Sequence, residues 1–264
     1  MTARNLPLHF AHGNGFPSES YQELFDHLSP EFDIHYIPMV GHGEYPVTDN
    51  WPHLVAELIQ HIKASHSQPV IGLGHSMGGV LMFMAAAQAP ELFQQIILLD
   101  SPLPGFWRSF LLRFVKQMRL LHWFTPIQQV RVRRQSFHSK EEAFQYFKQK
   151  PLFRHFTDQS LWLYVENGLT ATEKGYVLRF DRSIETNLYA TVPHNLYQYS
   201  KPAGVRSSVI YSMHSHLLKS PELLAMRLRY GFELHAFDQG THLFPFEYPK
   251  ETAQKIKMIT KELL

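Results

Sequence analysis

Along the first third of the chain, short unbroken apolar runs alternate with longer stretches of helical spacing. Leu6-Pro-Leu-His-Phe-Ala11 predicts a buried strand ending in a glycine-rich turn, His12-Gly-Asn-Gly15. Ser18 then opens a helix in which Tyr21, Leu24, Phe25 and Leu28 share one face. Phe32 to Pro38 predicts a second strand, and Gly41-His-Gly-Glu-Tyr-Pro46 a polar loop. From Asn50 to about His66, the apolar Leu54, Leu58, Ile59 and Ile62 mark a helix face. Pro69 to Leu73 predicts a third strand, which runs into Gly74-His-Ser-Met-Gly-Gly79. A helix follows to about Ala89, and Gln95 to Leu99 forms a fourth strand closed by Asp100. Strand and helix alternating in this way predict an α/β fold, a parallel sheet covered by helices.

After Ser101-Pro102 the pattern changes. Residues 103–201 show mostly helical periodicity and few strand signals, and they hold 19 of the 36 aromatic side chains. They carry 15 Lys and Arg against 7 Asp and Glu, whereas the remainder carries 10 against 16. This break predicts an inserted helical domain over 103–201, with the core domain divided between 1–102 and 202–264. Alternation resumes with a strand at Arg206–Ser212, a helix near 220–230 and a strand at Phe232–Phe237. A final helix begins near Pro249, with Ala253, Ile256, Ile259 and Leu263 inward.

Composition narrows the chemistry. Hydrophobic residues at 44% and charged residues at 18% describe a globular chain of 264 residues. A net charge of +2 is no overall excess that points to a nucleic acid or a membrane. The absence of cysteine excludes disulfides, a thiol nucleophile and thiolate metal sites. The start, Met1 to Pro7, has no apolar signal-peptide core, and runs such as Ile96–Leu99 are too short to span a bilayer. A cytoplasmic protein without a transmembrane segment is expected.

One motif stands out. Gly74-x-Ser76-x-Gly78 lies between a predicted strand and a predicted helix. A strand that turns sharply into a helix, presenting one hydroxyl at the sheet edge, strains the backbone at that residue. It also leaves no room for side chains two positions to either side. The helix that follows aims free N–H groups at the hydroxyl.

The HG turn after the first strand, the GHSMGG elbow, the insertion after the next strand and a late histidine together resemble the alpha/beta-hydrolase-fold serine hydrolases, esterase-like and with a helical cap. The resemblance covers nearly the whole chain. It departs at the start, where members usually carry two more strands ahead of the HG turn and only about five residues are available here. The expected sheet is therefore trimmed to about six mostly parallel strands flanked by helices.

The resemblance implies site residues in the order serine, acid, histidine. Ser76 is the nucleophile. His242, in Gly240-Thr-His242, is the base, with His214, His216 and His235 as lesser rivals. The place where many members carry the acid reads Ser212-Met-His-Ser-His216 and holds no carboxylate. Some members, haloalkane dehalogenases among them, take the acid from the end of the strand after the elbow helix, and Asp100 occupies that slot. Asp238 is the alternative acid. The oxyanion hole falls to the backbone amides of Met77 and Asn14, with His12 bracing the turn.

What the resemblance implies is a serine carboxylic ester hydrolase, working through an acyl-enzyme on small to medium hydrophobic esters. A C–C bond hydrolase, thioesterase, acyltransferase, perhydrolase, peptidase or non-turnover ligand binder on the same fold stays open as an alternative. Serine at the elbow argues against dehalogenase and epoxide hydrolase chemistry, which uses aspartate there. No cofactor is needed, and His214-Ser-His216 lacks a third neighbour for a metal. Arg131-Val-Arg-Arg134 reads as a solvated helix face, or as a guide for an anionic substrate, lipid headgroup or partner. Phe106, Trp107, Phe110, Phe114, Trp123 and Phe124 read mostly as packing, a few of them lining an apolar pocket.

Overall fold

The computed structural model describes residues 5–263 apart from Arg119, Phe124 and Glu262. Elements numbered in chain order begin with β1 (Leu6–Ala11), α1 (Gln22–Leu28), β2 (Phe32–Tyr36) and α2 (Pro52–Ser65). Next come β3 (Val70–His75), α3 (Met77–Gln88) and β4 (Phe93–Leu99). The long segment after β4 contains α4 (Phe106–Gln117), α5 (Ile127–Val132), β5 (Ser136–Phe137) and α6 (Lys140–Lys148). It continues through α7 (Asp158–Gly168), β6 (Leu169–Thr172), β7 (Gly175–Leu178) and α8 (Arg182–Ala190). The chain then closes with β8 (Arg206–Ser212), α9 (Ser220–Tyr230), β9 (Glu233–Phe237), α10 (Phe244–Glu247) and α11 (Pro249–Thr260).

Six strands form one parallel sheet in the order β2-β1-β3-β4-β8-β9. The strands read as apolar runs because helices cover both faces. Leu8, Phe10, Ile71 and Leu73 point to the side of α1 and α11, where they meet Leu24, Phe25 and Ile256. Ala11, Val70, Ile96 and Leu98 point to the other side, against Leu54 and Leu58 of α2, Phe83 of α3 and Tyr230 of α9. The strand order reverses beside β1: the chain steps out to β2, then returns to β3 on the opposite flank. The crevice at the C-terminal ends of β1 and β3 lies at this reversal, where open α/β sheets place their ligands.

Two local features differ from the sequence reading. The helix expected from Asn50 starts at Pro52. Asn50 and Trp51 sit at φ 64° and 58°, outside helical space, and proline is well suited to the first helical position. The segment after β4 also contains a small antiparallel sheet in the order β5-β7-β6, where the sequence shows few strand signals. Strands of two to four residues are too short for alternation to register. Among the described residues, no helix is long and apolar enough to cross a membrane.

Candidate active site

The elbow forms as the motif requires. Ser76 is the lone residue between β3 and α3, with φ 54° and ψ −115°. Such a conformation costs of order 1–3 kcal/mol in a non-glycine residue. Its amide is tied to the Leu99 carbonyl of β4 at 3.0 Å. A Cβ on Gly74 would collide with the backbone of Gly78 and Gly79, and one on Gly78 with the Ala11 carbonyl. The two glycines therefore let α3 start against the end of β1. Met77 opens α3, so its N–H has no partner within the helix.

His242 Nε2 lies 3.0 Å from Ser76 Oγ, and His242 Nδ1 lies 2.7 Å from Asp100 Oδ2. A carboxylate only accepts, so Nδ1 carries the proton and, in the neutral ring, Nε2 is left to accept from the serine hydroxyl. Asp100 is fully buried, and its backbone, at φ 46°, is pinned by its amide to the Ile210 carbonyl at 2.8 Å. Its Oδ1 accepts from the Ser212 amide at 3.1 Å, and its Oδ2 accepts from Ser215 Oγ at 2.5 Å. The loop after β8, which lacks a carboxylate, thus supplies donors to one that arrives from β4. Ser212 Oγ further ties this loop to the Gly240 carbonyl at 2.6 Å, just before His242.

Asp238 does not share this arrangement. It is exposed, and its carbonyl rather than its carboxylate makes the local bond, accepting from His214 Nε2 at 3.1 Å. His214 and His216 are exposed at the cavity, and His235 sits on β9 beside Glu233 at 3.8 Å.

The turn after β1 is braced from within. His12 is buried, donates from Nδ1 to the Gly13 carbonyl at 2.8 Å and accepts the Val40 amide at Nε2, also at 2.8 Å. Burial lowers its pKa to about 4, which keeps the ring neutral for that acceptor role. The next link is absent from the sequence reading. Gly13 N–H donates to Tyr21 Oη at 3.1 Å, the Tyr21 hydroxyl donates to His75 Nδ1 at 2.7 Å, and His75 Nε2 donates to the His242 carbonyl at 3.0 Å. Burial, and then the neighbouring His242, hold His75 well below the usual imidazole pKa, consistent with one donor and one acceptor nitrogen. Tyr21 reads in sequence only as a helix-face apolar residue, and His75 only as part of the elbow.

Ser76, His242, Asn14 and Met77 open into one cavity of about 920 Å³, whose walls include Val80, Leu112, Val115 and Leu188. The Asn14 side chain donates to the Glu185 carbonyl of α8 at 3.1 Å, so the long segment after β4 reaches the turn itself.

The profile of the alpha/beta hydrolase family matches residues 10–255. The chain belongs to this family. A monoglyceride lipase homolog of monkeypox virus is 34% identical over an alignment of 102 residues that covers 35% of this chain and 37% of that protein. A pimeloyl-[acyl-carrier protein] methyl ester esterase of Edwardsiella ictaluri (strain 93-146) is 28% identical over 116 residues, 41% of this chain and 44% of that one. These alignments span less than half the length of the curated relatives. The crystal structure of E-2-(acetamidomethylene)succinate hydrolase superposes with a TM-score of 0.78 at 18% identity, covering 97% of this chain and 91% of that one.

Two groups in this alpha/beta hydrolase stand differently from the sequence reading. Arg133 is not on a solvated face: it lines the cavity, donates from Nη1 to Glu185 Oε1 at 3.1 Å and is largely buried with it. Burial raises the Glu185 carboxyl, and Arg133 counters that rise. The aromatic residues read as packing are instead mostly in water: Phe106, Trp107, Phe110, Phe114 and Trp123 are 53, 80, 62, 53 and 75% exposed. Phe124 lies outside the described residues.

Proposed function

We propose that the protein is a serine hydrolase of carboxylic esters that works through Ser76, His242 and Asp100. The observation that carries this reading is the position of His242, within hydrogen-bond reach of both the Ser76 hydroxyl and the buried Asp100 carboxylate. His242 takes the Ser76 proton as Oγ attacks the ester carbonyl, and the Met77 and Asn14 amides receive the oxyanion. Asp100 holds the imidazole tautomer and steadies its positive form without taking the proton. His242 then protonates the departing alcohol, and water, activated by the same ring, releases the acyl group from Ser76. The lipase and esterase names of the relatives support ester chemistry.

In this reading residues 103–201 act as a cap over the core built from 1–102 and 202–264. The mostly apolar walls of the cavity suit a hydrophobic acyl or alcohol group on a small-molecule ester. The Arg133 charge is spent on Glu185, which favours neutral esters over carboxylate-bearing ones.

The test is turnover of aryl esters graded from acetyl to long acyl chains, with Ser76→Ala as the blank. Multiple turnover that vanishes in the variant supports the reading, and the chain-length optimum measures the cavity. No turnover of any ester by a folded sample removes it.

A further inference from the structure

We propose that α4 is a docking face for an anionic phospholipid surface, set at the mouth of the cavity. Trp107, Phe110, Leu111, Phe114 and Met118 recur at helical spacing and form one outward stripe, each more than half exposed. Arg108, whose guanidinium pairs with the buried Glu222, and Arg113, both exposed, flank the stripe on either side. The opposite face is anchored: Ser109 is buried, and Lys116 pairs with Asp49. A contiguous aromatic patch of this kind is seldom left to water in a soluble monomer unless something covers it.

Charge identifies what covers it. From Ser101 to Ser139 the chain carries seven Lys and Arg and no Asp or Glu; Arg108, Lys116, Arg133 and Arg134 pair with Glu222, Asp49, Glu185 and Glu142 from outside this run, which leaves Arg113 and Arg131 exposed and without an acidic partner among the described residues. The surrounding 103–201 segment has 15 basic against 7 acidic residues, and the rest of the protein has the opposite balance. A protein partner with an apolar groove would need neither the basic flanks nor the lack of acids. An apolar and aromatic stripe between arginines, on a helix too short to span, matches a helix lying in the headgroup layer of an anionic bilayer.

Position gives the surface a use. Arg108 and Leu111 belong both to the exposed side of α4 and to the cavity wall, and Leu112 and Val115 continue that wall toward Ser76. A substrate with one long apolar chain passes from the lipid layer along α4 into the cavity without crossing water. This delivery rests on the ester-hydrolase reading; the docking does not.

The experiment is sedimentation with extruded vesicles of phosphatidylcholine alone, or of phosphatidylcholine and phosphatidylglycerol in equal parts, using the Ser76→Ala protein. The protein is expected to pellet with the anionic vesicles, and added salt should release it. The triple variant Trp107→Ser/Phe110→Ser/Phe114→Ser should lose at least about tenfold in vesicle affinity. With Ser76 retained, the same triple variant should keep the short-chain ester turnover and the melting temperature. A protein that stays in solution with both vesicles, or a triple variant that pellets equally, overturns the docking. So does a dimer that the triple variant converts to monomer, since the stripe then belongs to a second copy. Vesicle binding by a folded protein that turns over no ester supports the docking and removes the hydrolase reading.

Discussion

His75 Nε2 donates to the backbone carbonyl of His242 at 3.0 Å, so the residue before the candidate nucleophile holds the loop of the candidate base. Through Tyr21 the same ring reaches the Gly13 amide, one residue from Asn14. The two halves of the site, turn and base, are joined by one directed chain of hydrogen bonds in the buried floor.

Tyr21→Phe tests this link. It leaves the Gly13 N–H and His75 Nδ1 without their buried partner, which costs about 1–3 kcal/mol of stability. Because Asn14 and His242 both depend on the link, kcat should fall as well, toward the roughly 10²-fold loss that a 1 Å misplacement causes. KM should change little. Melting curves and steady-state kinetics on one soluble ester read both effects; lost stability with unchanged kcat would reduce the chain to a structural brace.

The acid is tested by three variants. Asp100→Asn should lower kcat by about 10⁴-fold, because the imidazole is then held in the wrong tautomer. Asp238→Asn should stay near the unaltered rate, its carboxylate being exposed to solvent. Ser215→Ala removes one donor from Asp100 Oδ2 and should cost kcat roughly ten- to hundredfold, in line with a hydrogen bond to a charged group worth about 1.5–3 kcal/mol. A normal rate in Asp100→Asn with a crippled Asp238→Asn would reverse the assignment.

The core strands and the elbow were legible because each is a local pattern. A strand buried on both faces is an unbroken apolar run, and the elbow is five residues with glycines where a Cβ would strike backbone. The candidate acid Asp100 is suggested in the sequence by its place at the end of β4. Its donors are not, since Ser212 and Ser215 lie more than a hundred residues away and look like any polar loop. Tyr21 and His75 are hidden because the links Tyr21–His75 and His75–His242 join residues 54 and 167 positions apart. In α4 the periodicity shows that one face differs from the other, but not which face meets water. The aromatic stripe therefore reads in sequence as packing, whereas it is the smaller and basic positions that turn inward or flank it.

Stability should fall with acidification through a second histidine group, remote from Ser76. His9 on β1 is buried with Nδ1 3.2 Å from His66 Nε2, and the His61 and His35 rings stand close by. Burial, then repulsion from His61, His66 and His35, pulls His9 well below its ordinary pKa of 6.5. Burial, then His35, lowers His61 and His66, although Asp33 opposes this at His66. Folded values below the unfolded one mean that the stabilisation is complete above about pH 6.5 and is lost as the pH drops toward the folded values. Melting temperature should therefore decline from pH 7 to pH 5, by about 2–4 °C for each kcal/mol lost, and His9→Asn should flatten the slope. An unchanged slope in that variant would place the acid sensitivity elsewhere.

The buried Arg133–Glu185 pair gives a separate prediction. Arg133→Ala leaves Glu185 buried without its ion-pair partner beside the Asn14 turn, and should cost about 3–5 kcal/mol in denaturant unfolding. Arg133→Met with Glu185→Leu removes both charges and should recover most of that loss. A double variant as unstable as the single one would mean that the pair matters through shape rather than charge.

In the proposed reaction Ser76 and His242 act as one unit on an ester carbonyl. Multiple-turnover rates on an aryl butyrate for Ser76→Ala, His242→Ala and the double variant read this coupling. Each single variant should fall to the same residual rate and the double variant no further, as residues of one catalytic unit do. Turnover kept in either single variant, or a double variant that loses the product of the two single effects, would contradict it.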